Sequence, residues 1–145
     1  MIFLSQFDPK WTSIRLGGSW LKMGRWGCAT VALSMMSERF GCYRSPESLA
    51  NDHKHYNHRG EIIWQNVEFQ KMQFEKRLRY PNLKAIDESI APGKGVMVEV
   101  NFAHWVLVLR KEDDRYIGAD PWGGEEIDIL KKYYRITGSA HYVEK

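Results

Sequence analysis

Apolar and polar positions along the chain follow two different periods, and the change between them falls near residue 95. In the first half, Ala29-Thr30-Val31-Ala32-Leu33-Ser34-Met35-Met36-Ser37-Glu38-Arg39-Phe40 carries apolar or small residues over most of a helical circumference. Such a segment belongs inside a domain rather than on its surface. Gly41 follows as the C′ residue that ends it. Ser45-Pro46-Glu47 sets a favoured N-cap before a favoured first-turn proline, which predicts a second helix through Ala50. Ile62 to Leu78 and Leu83 to Ile90 are expected to be helical, parted by Pro81. Beyond the turn Gly93-Lys94-Gly95 the pattern becomes short β-branched runs between turn residues. Val96 to Val100, His104 to Leu109 and Arg115 to Ala119 are the predicted strands, with one or two more between Tyr133 and Val143. Asp120-Pro121-Trp122-Gly123-Gly124 must end the third, because Pro121 cannot donate to a ladder. Residues 1–27, broken by Phe7-Asp8-Pro9, Gly17-Gly18 and Gly24, are expected to be an irregular arm, and Asp52 to Gly60 a polar loop.

Helices first and an antiparallel sheet second is an α+β arrangement. The 145 residues are expected to form one domain, since no repeat, low-complexity tract or linker divides them. With 43% hydrophobic and 13% aromatic residues, the composition excludes disorder and supports a packed core. No apolar run reaches the roughly 20 residues needed to span a bilayer. Met1-Ile2-Phe3-Leu4 lacks the cationic lead-in and long apolar stretch of a secretory signal, so synthesis in the cytoplasm is expected. A formal charge of +3 is too small to indicate nucleic acid as a partner.

Cys28 and Cys42 flank the predicted buried helix. About 14 residues of helix separate them by about 20 Å, beyond the roughly 7 Å Cα separation that a disulfide tolerates. Their roles therefore differ. Cys28 opens the helix, where unsatisfied N–H groups and the helix dipole favour a thiolate, while Cys42 lies past its end and is expected to be packing. A thiolate nucleophile needs an imidazole to share its proton and a third group to orient the ring. His104 opens one predicted strand and Asp120 ends the next.

In an antiparallel hairpin centred on Glu112, a three-residue loop (Lys111 to Asp113) or a five-residue loop would set His104 and Asp120 opposite each other on one face, about 4.5–5.5 Å apart at Cβ. A four-residue loop would turn them to opposite faces. A triad thus requires an odd loop or a compensating bulge.

Gln6 and Trp11 in the arm, Gly27-Cys28-Ala29-Thr30 opening the helix, Ser45-Pro46-Glu47-Ser48-Leu49, Ala103-His104-Trp105-Val106-Leu107-Val108 and Tyr116-Ile117-Gly118-Ala119-Asp120-Pro121-Trp122 form an ordered set. This set resembles the papain-like cysteine peptidases, in the branch of free-standing relatives of the bacteriocin-processing, double-glycine-leader peptidases. The match covers most of the chain except about 52 to 90. It implies a papain-like fold with Cys28 as nucleophile, His104 as general base and acid, Asp120 as ring orienter and Gln6 as an oxyanion donor, without cofactor or metal. Gln6 stands 22 positions before Cys28, so the glycine-rich arm has to bring it back. Cys28 also lacks the following glycine of the bacteriocin-processing branch, so a double-glycine leader is not carried over as substrate.

What relatives commonly do points to a peptide or a peptidoglycan stem as partner, cleaved by an enzyme released through phage lysis or a dedicated secretion system. Intracellular protein processing is the competing enzymatic reading, and a catalytically silent binding module on the same scaffold is the competing class. His53, His55 and His58 crowd the polar loop, but without cysteine or an i,i+4 pair, and with Lys54 and Arg59 beside them, they are expected to be solvated rather than metal-binding. Trp11, Trp20, Trp26, Trp105 and Trp122 lie near the site segments and would serve either the core or a substrate groove. Lys71 to Arg79 and Lys131 to Arg135 are expected to be solvated basic faces.

Overall fold

A computed structural model describes all residues 1–145. The chain is α+β, with a six-stranded antiparallel sheet and five short helices. The helices are α1 (Met23–Trp26), α2 (Cys28–Arg39), α3 (Pro46–Ala50), α4 (Leu83–Glu88) and α5 (Ile129–Tyr133). The strands are β1 (Met72–Leu78), β2 (Lys94–Val100), β3 (His104–Glu112), β4 (Arg115–Asp120), β5 (Glu125–Asp128) and β6 (Ile136–Glu144), in the order β1-β6-β2-β3-β4-β5. No helix is long and apolar enough to cross a membrane.

Period-2 alternation sends the sheet's side chains to two cores. Met97, Trp105, Leu107, Leu109 and Ala119 pack with α2, every residue of which is buried from Cys28 to Ser37. Val96, Val98, Val100, Val106 and Val108 pack on the other face with Ile86 of α4 and Ile129 of α5. A helix buried around its circumference fits a chain segment with no polar face, as the pattern of residues 29–40 requires. It stops at Gly41, whose φ of +76° is costly for any residue with a Cβ. Ser45 caps α3 by accepting from the Ser48 N–H at 3.2 Å. Both cysteines are free.

Several expectations are corrected. Ile62 to Leu78 is not helical: it holds a 3-10 turn at Trp64–Asn66 and then β1, which pairs with β6. Met72-Gln73-Phe74-Glu75-Lys76-Arg77-Leu78 contains good helix formers, but pairing with β6 and burial of Met72 override propensity. Tyr133 ends a helix, α5, and a single strand, β6, follows. Asp128 starts α5 by accepting from the Lys131 N–H at 3.3 Å. The arm contains α1 and a 3-10 turn at Leu16–Gly18. Lys94 and Gly95 already belong to β2.

The β3–β4 hairpin has an even loop, Asp113-Asp114, closed by the Glu112↔Arg115 pair. A bulge at Leu109 then shifts the register, from Arg110↔Ile117 to Val108↔Gly118. The extra residue restores the parity that the even loop would have broken. With Leu107 opposite Ala119, the ladder's continuation sets Asp120 against Val106 rather than His104. His104 and Asp120 therefore share a face as diagonal neighbours, two residues offset from the directly opposed pair expected. Arg39, the last residue of α2, pins the bulge: its guanidinium donates to the carbonyls of Val108 at 3.0 Å and Leu109 at 3.3 Å.

Candidate active site

The site forms where the N-terminus of α2 meets the end of the sheet. Gly27 joins α1 to α2, and a Cβ there would collide with the Met23 side chain and carbonyl at 2.4 and 2.6 Å. Only glycine allows the chain to turn so tightly into the buried helix. Cys28 follows as its first residue and is 9% exposed. His104 is presented as the first residue of β3, after a loop with Asn101 and Phe102 at φ of 53° and 59°. That loop is tied down by Asn101 N–H donating to Arg135 O at 3.0 Å and Phe102 N–H donating to Thr137 Oγ1 at 3.0 Å.

His104 Nε2 lies 2.7 Å from Asp120 Oδ1, which leaves Nδ1 for the thiol side. Burial alone would depress the imidazole's affinity for a proton, but hydrogen bonding to Asp120 and to Cys28, with the charges of both, outweighs it and raises the pKa to about 9. An imidazole this basic stands as imidazolium at neutral pH. The thiol and the carboxylate thus both act on one ring.

Asp120 has no exposed surface, and every lone pair direction is used. Oδ1 accepts from His104 and from the Trp122 N–H at 3.0 Å, while Oδ2 accepts from Lys132 Nζ and from the Tyr133 hydroxyl, both at 2.6 Å. Burial opposes ionisation, yet these four donors hold the carboxyl well below the usual carboxylate range. Tyr133 is pushed the other way, first by burial and then by Asp120, so its hydroxyl stays a neutral donor. Its ring lies on the imidazole, with centroids 5.2 Å apart, and Trp122 meets the same ring edge-on at 6.2 Å.

Gln6 is buried and ties two site segments together. Its backbone N–H donates to Pro121 O at 2.8 Å, beside Asp120, and its side-chain Nε2 donates to Gly24 O at 3.2 Å, four residues before Cys28. The arm does return to the thiol's approach. The side-chain amide is committed to Gly24 through one hydrogen, and its Oε1 is buried without a hydrogen-bond partner.

The structure therefore brings Cys28, His104 and Asp120 together and joins Gln6 to the segments around them. Lys132 and Tyr133 are missed from sequence. They sit in the stretch expected to be a solvated basic face, and the available signal was Asp128, an N-cap residue three positions before Lys131. The polar-loop expectation also needs correction at His55, which is 1% exposed with Nδ1 3.1 Å from Leu49 O; burial lowers its pKa. His53 and His58 remain exposed. No group of three or more His, Cys, Asp or Glu gathers with the geometry to hold a metal ion. Of the tryptophans, Trp11 and Trp105 are core, whereas Trp20, Trp26 and Trp122 are exposed, the last packed edge-on against Phe7 at 4.7 Å.

No protein-family model, curated protein or solved structure matches the chain.

Proposed function

We propose that this chain is a cysteine peptidase or amidase of the papain-like kind that hydrolyses a peptide-type bond through Cys28, His104 and Asp120. The observation carrying the reading is the shared imidazole: a saturated, ionised carboxylate 2.7 Å from its Nε2, and a helix-leading thiol close enough to raise its affinity for a proton. The chain order Cys, His, Asp and the resemblance of the flanking motifs support the same family and its fold.

In the proposed reaction the Cys28 sulfur, with its proton on His104, attacks the scissile carbonyl. The C–S bond forms and the carbonyl electrons move onto oxygen, where the Cys28 backbone N–H and the Gln6 side-chain amide are the donors at hand. The imidazolium passes its proton to the leaving nitrogen as the C–N bond breaks. Water then attacks the thioester and gives a proton to His104, and the acid leaves as the thiolate–imidazolium pair is restored. Asp120 keeps the ring oriented throughout.

For substrate, we infer the peptide stem of a bacterial cell wall, reached after lysis or through a dedicated secretion system. The exposed Trp26 and Trp122 on the segments of Cys28 and Asp120 suit a peptide carried on a sugar.

Two experiments test this. Iodoacetamide at mildly acidic pH should label Cys28 much faster than Cys42; equal, slow labelling contradicts the reading. Zymography on purified peptidoglycan should show clearing that Cys28→Ala abolishes, and clearing that survives the substitution cannot come from this thiol.

A further inference from the structure

Asp120 is held from behind by two neighbouring residues of one short helix, and they act on it by different physics. Tyr133 brings a neutral hydroxyl to Oδ2 at 2.6 Å and lays its ring against His104 at 5.2 Å, so it touches both partners of the pair. Lys132 brings a full positive charge to the same oxygen at 2.6 Å and is itself shared with Glu125 at 3.7 Å. Neither is an ornament of a solvated surface. Lys132 is 34% exposed, and the carboxylate it meets has no exposed surface.

We propose that Lys132 and Tyr133 form a two-part clamp on Asp120, in which Tyr133 fixes where the carboxylate points and Lys132 draws off part of its charge, limiting how tightly the imidazolium is held. The inference rests on the hydrolase reading and adds two positioning residues to it. The charged and titratable groups around the pair are Cys28 from α2, His104 from β3, Glu125 from β5, and Lys132 and Tyr133 from α5. Among them only Lys132 and the imidazolium are cations, and they compete for one anion. An ammonium near an imidazolium disfavours it by like-charge repulsion. A less tightly held imidazolium is also the better acid toward the leaving nitrogen. Lys132 therefore trades stability of the ion pair for proton delivery.

The sign of the effect separates this role from mere support. Lys132→Met keeps the stem and removes the charge, so the His104 titration midpoint, followed by NMR on labelled imidazole, should rise by about half a unit to one unit. Lys132→Arg should return it to the parent value. Glu125→Gln alters an exposed side chain, frees Lys132 for Asp120, and should lower the midpoint by about a few tenths of a unit. Tyr133→Phe keeps the ring and should leave the midpoint within about a few tenths, while kcat falls about tenfold with KM unchanged. A midpoint that stays put or falls in folded Lys132→Met, or that stays put or rises in Glu125→Gln, overturns the charge half; full kcat in Tyr133→Phe overturns the orienting half. These outcomes are distinct from failure of the hydrolase reading, which shows as slow alkylation of Cys28 whatever the His104 midpoint does.

Discussion

Two histidines of the sheet, one partly buried and one fully buried, are driven to different charge states. His104, at the start of β3, faces a carboxylate and a thiol, and its pKa rises to about 9. His141, in β6, has no exposed surface and lies between two serine hydroxyls, Ser89 Oγ at Nδ1 and Ser139 Oγ at Nε2, each 2.7 Å away. Burial, followed by the charges of Lys76 and Lys94, lowers its pKa to about 4. Both rings are hydrogen-bonded, His141 by neutral hydroxyls and His104 by an ionised carboxylate, so hydrogen bonding alone does not make an imidazolium. The fixed anion does. His141 shows what a buried ring becomes when neither a carboxylate nor a thiol faces it, a quiet polar core residue.

The largest expected effect comes from erasing that difference. Asp120→Asn leaves the shape and removes the charge; hydrolysis should fall about 10²–10⁴-fold, and the His104 midpoint should fall well below 9, with only the share due to Cys28 remaining. A midpoint that remains near 9 in NMR would show that Asp120 is not its source. At the other histidine, His141→Leu strands two buried hydroxyls and should cost about 2–4 kcal/mol in urea unfolding, with alkylation of Cys28 unaltered.

The pH dependence of stability should carry both signs. A raised His104 contributes stability that is complete below about 6.5 and is lost as pH climbs through about 9. A depressed His141 contributes stability that is complete above about 6.5 and is lost as pH falls through about 4. Each limb amounts to about 1–3 kcal/mol, so melting temperature should peak near the ordinary imidazole value. His141→Gln should shrink the acid limb to the part carried by His55 and leave the alkaline limb, and His104→Gln should flatten the alkaline limb alone; a single variant acting on both would refute the assignment. The smallest effect is expected at Arg39→Met, which releases the carbonyls of the bulge and should cost about 1–2 kcal/mol, with a modest loss of hydrolysis because the bulge sets the face of His104.

Elements whose burial follows their own period can be read from sequence. The helix of residues 28–39, the cap at Ser45 and the strands around Val98, Leu107 and Ile117 announce themselves through local patterns, since each element's burial follows its own period. Cys28, His104 and Asp120 are legible as candidates because a cysteine at a helix start and polar partners at strand ends are local features too. Parity requires an odd loop or a bulge, and which of the two occurs is not local, because the bulge at Leu109 is held by Arg39 from 69 and 70 residues away. β1 was hidden because its pairing with β6 joins residues about as distant. Lys132 and Tyr133 were hidden because the anion that gives them a purpose stands on a different strand. His55 and His141 show the same limit: whether a histidine is solvated, buried neutral or ionic depends on partners that the chain brings from elsewhere.

Whether Cys28 and His104 are coupled is read from the His104 titration with and without the sulfur. In Cys28→Ala the midpoint should fall by about one unit or more, because the thiol's hydrogen bond and charge are gone, while His141 keeps its own midpoint. If His104 titrates identically in both proteins, the thiol and the imidazole are not coupled and the account fails.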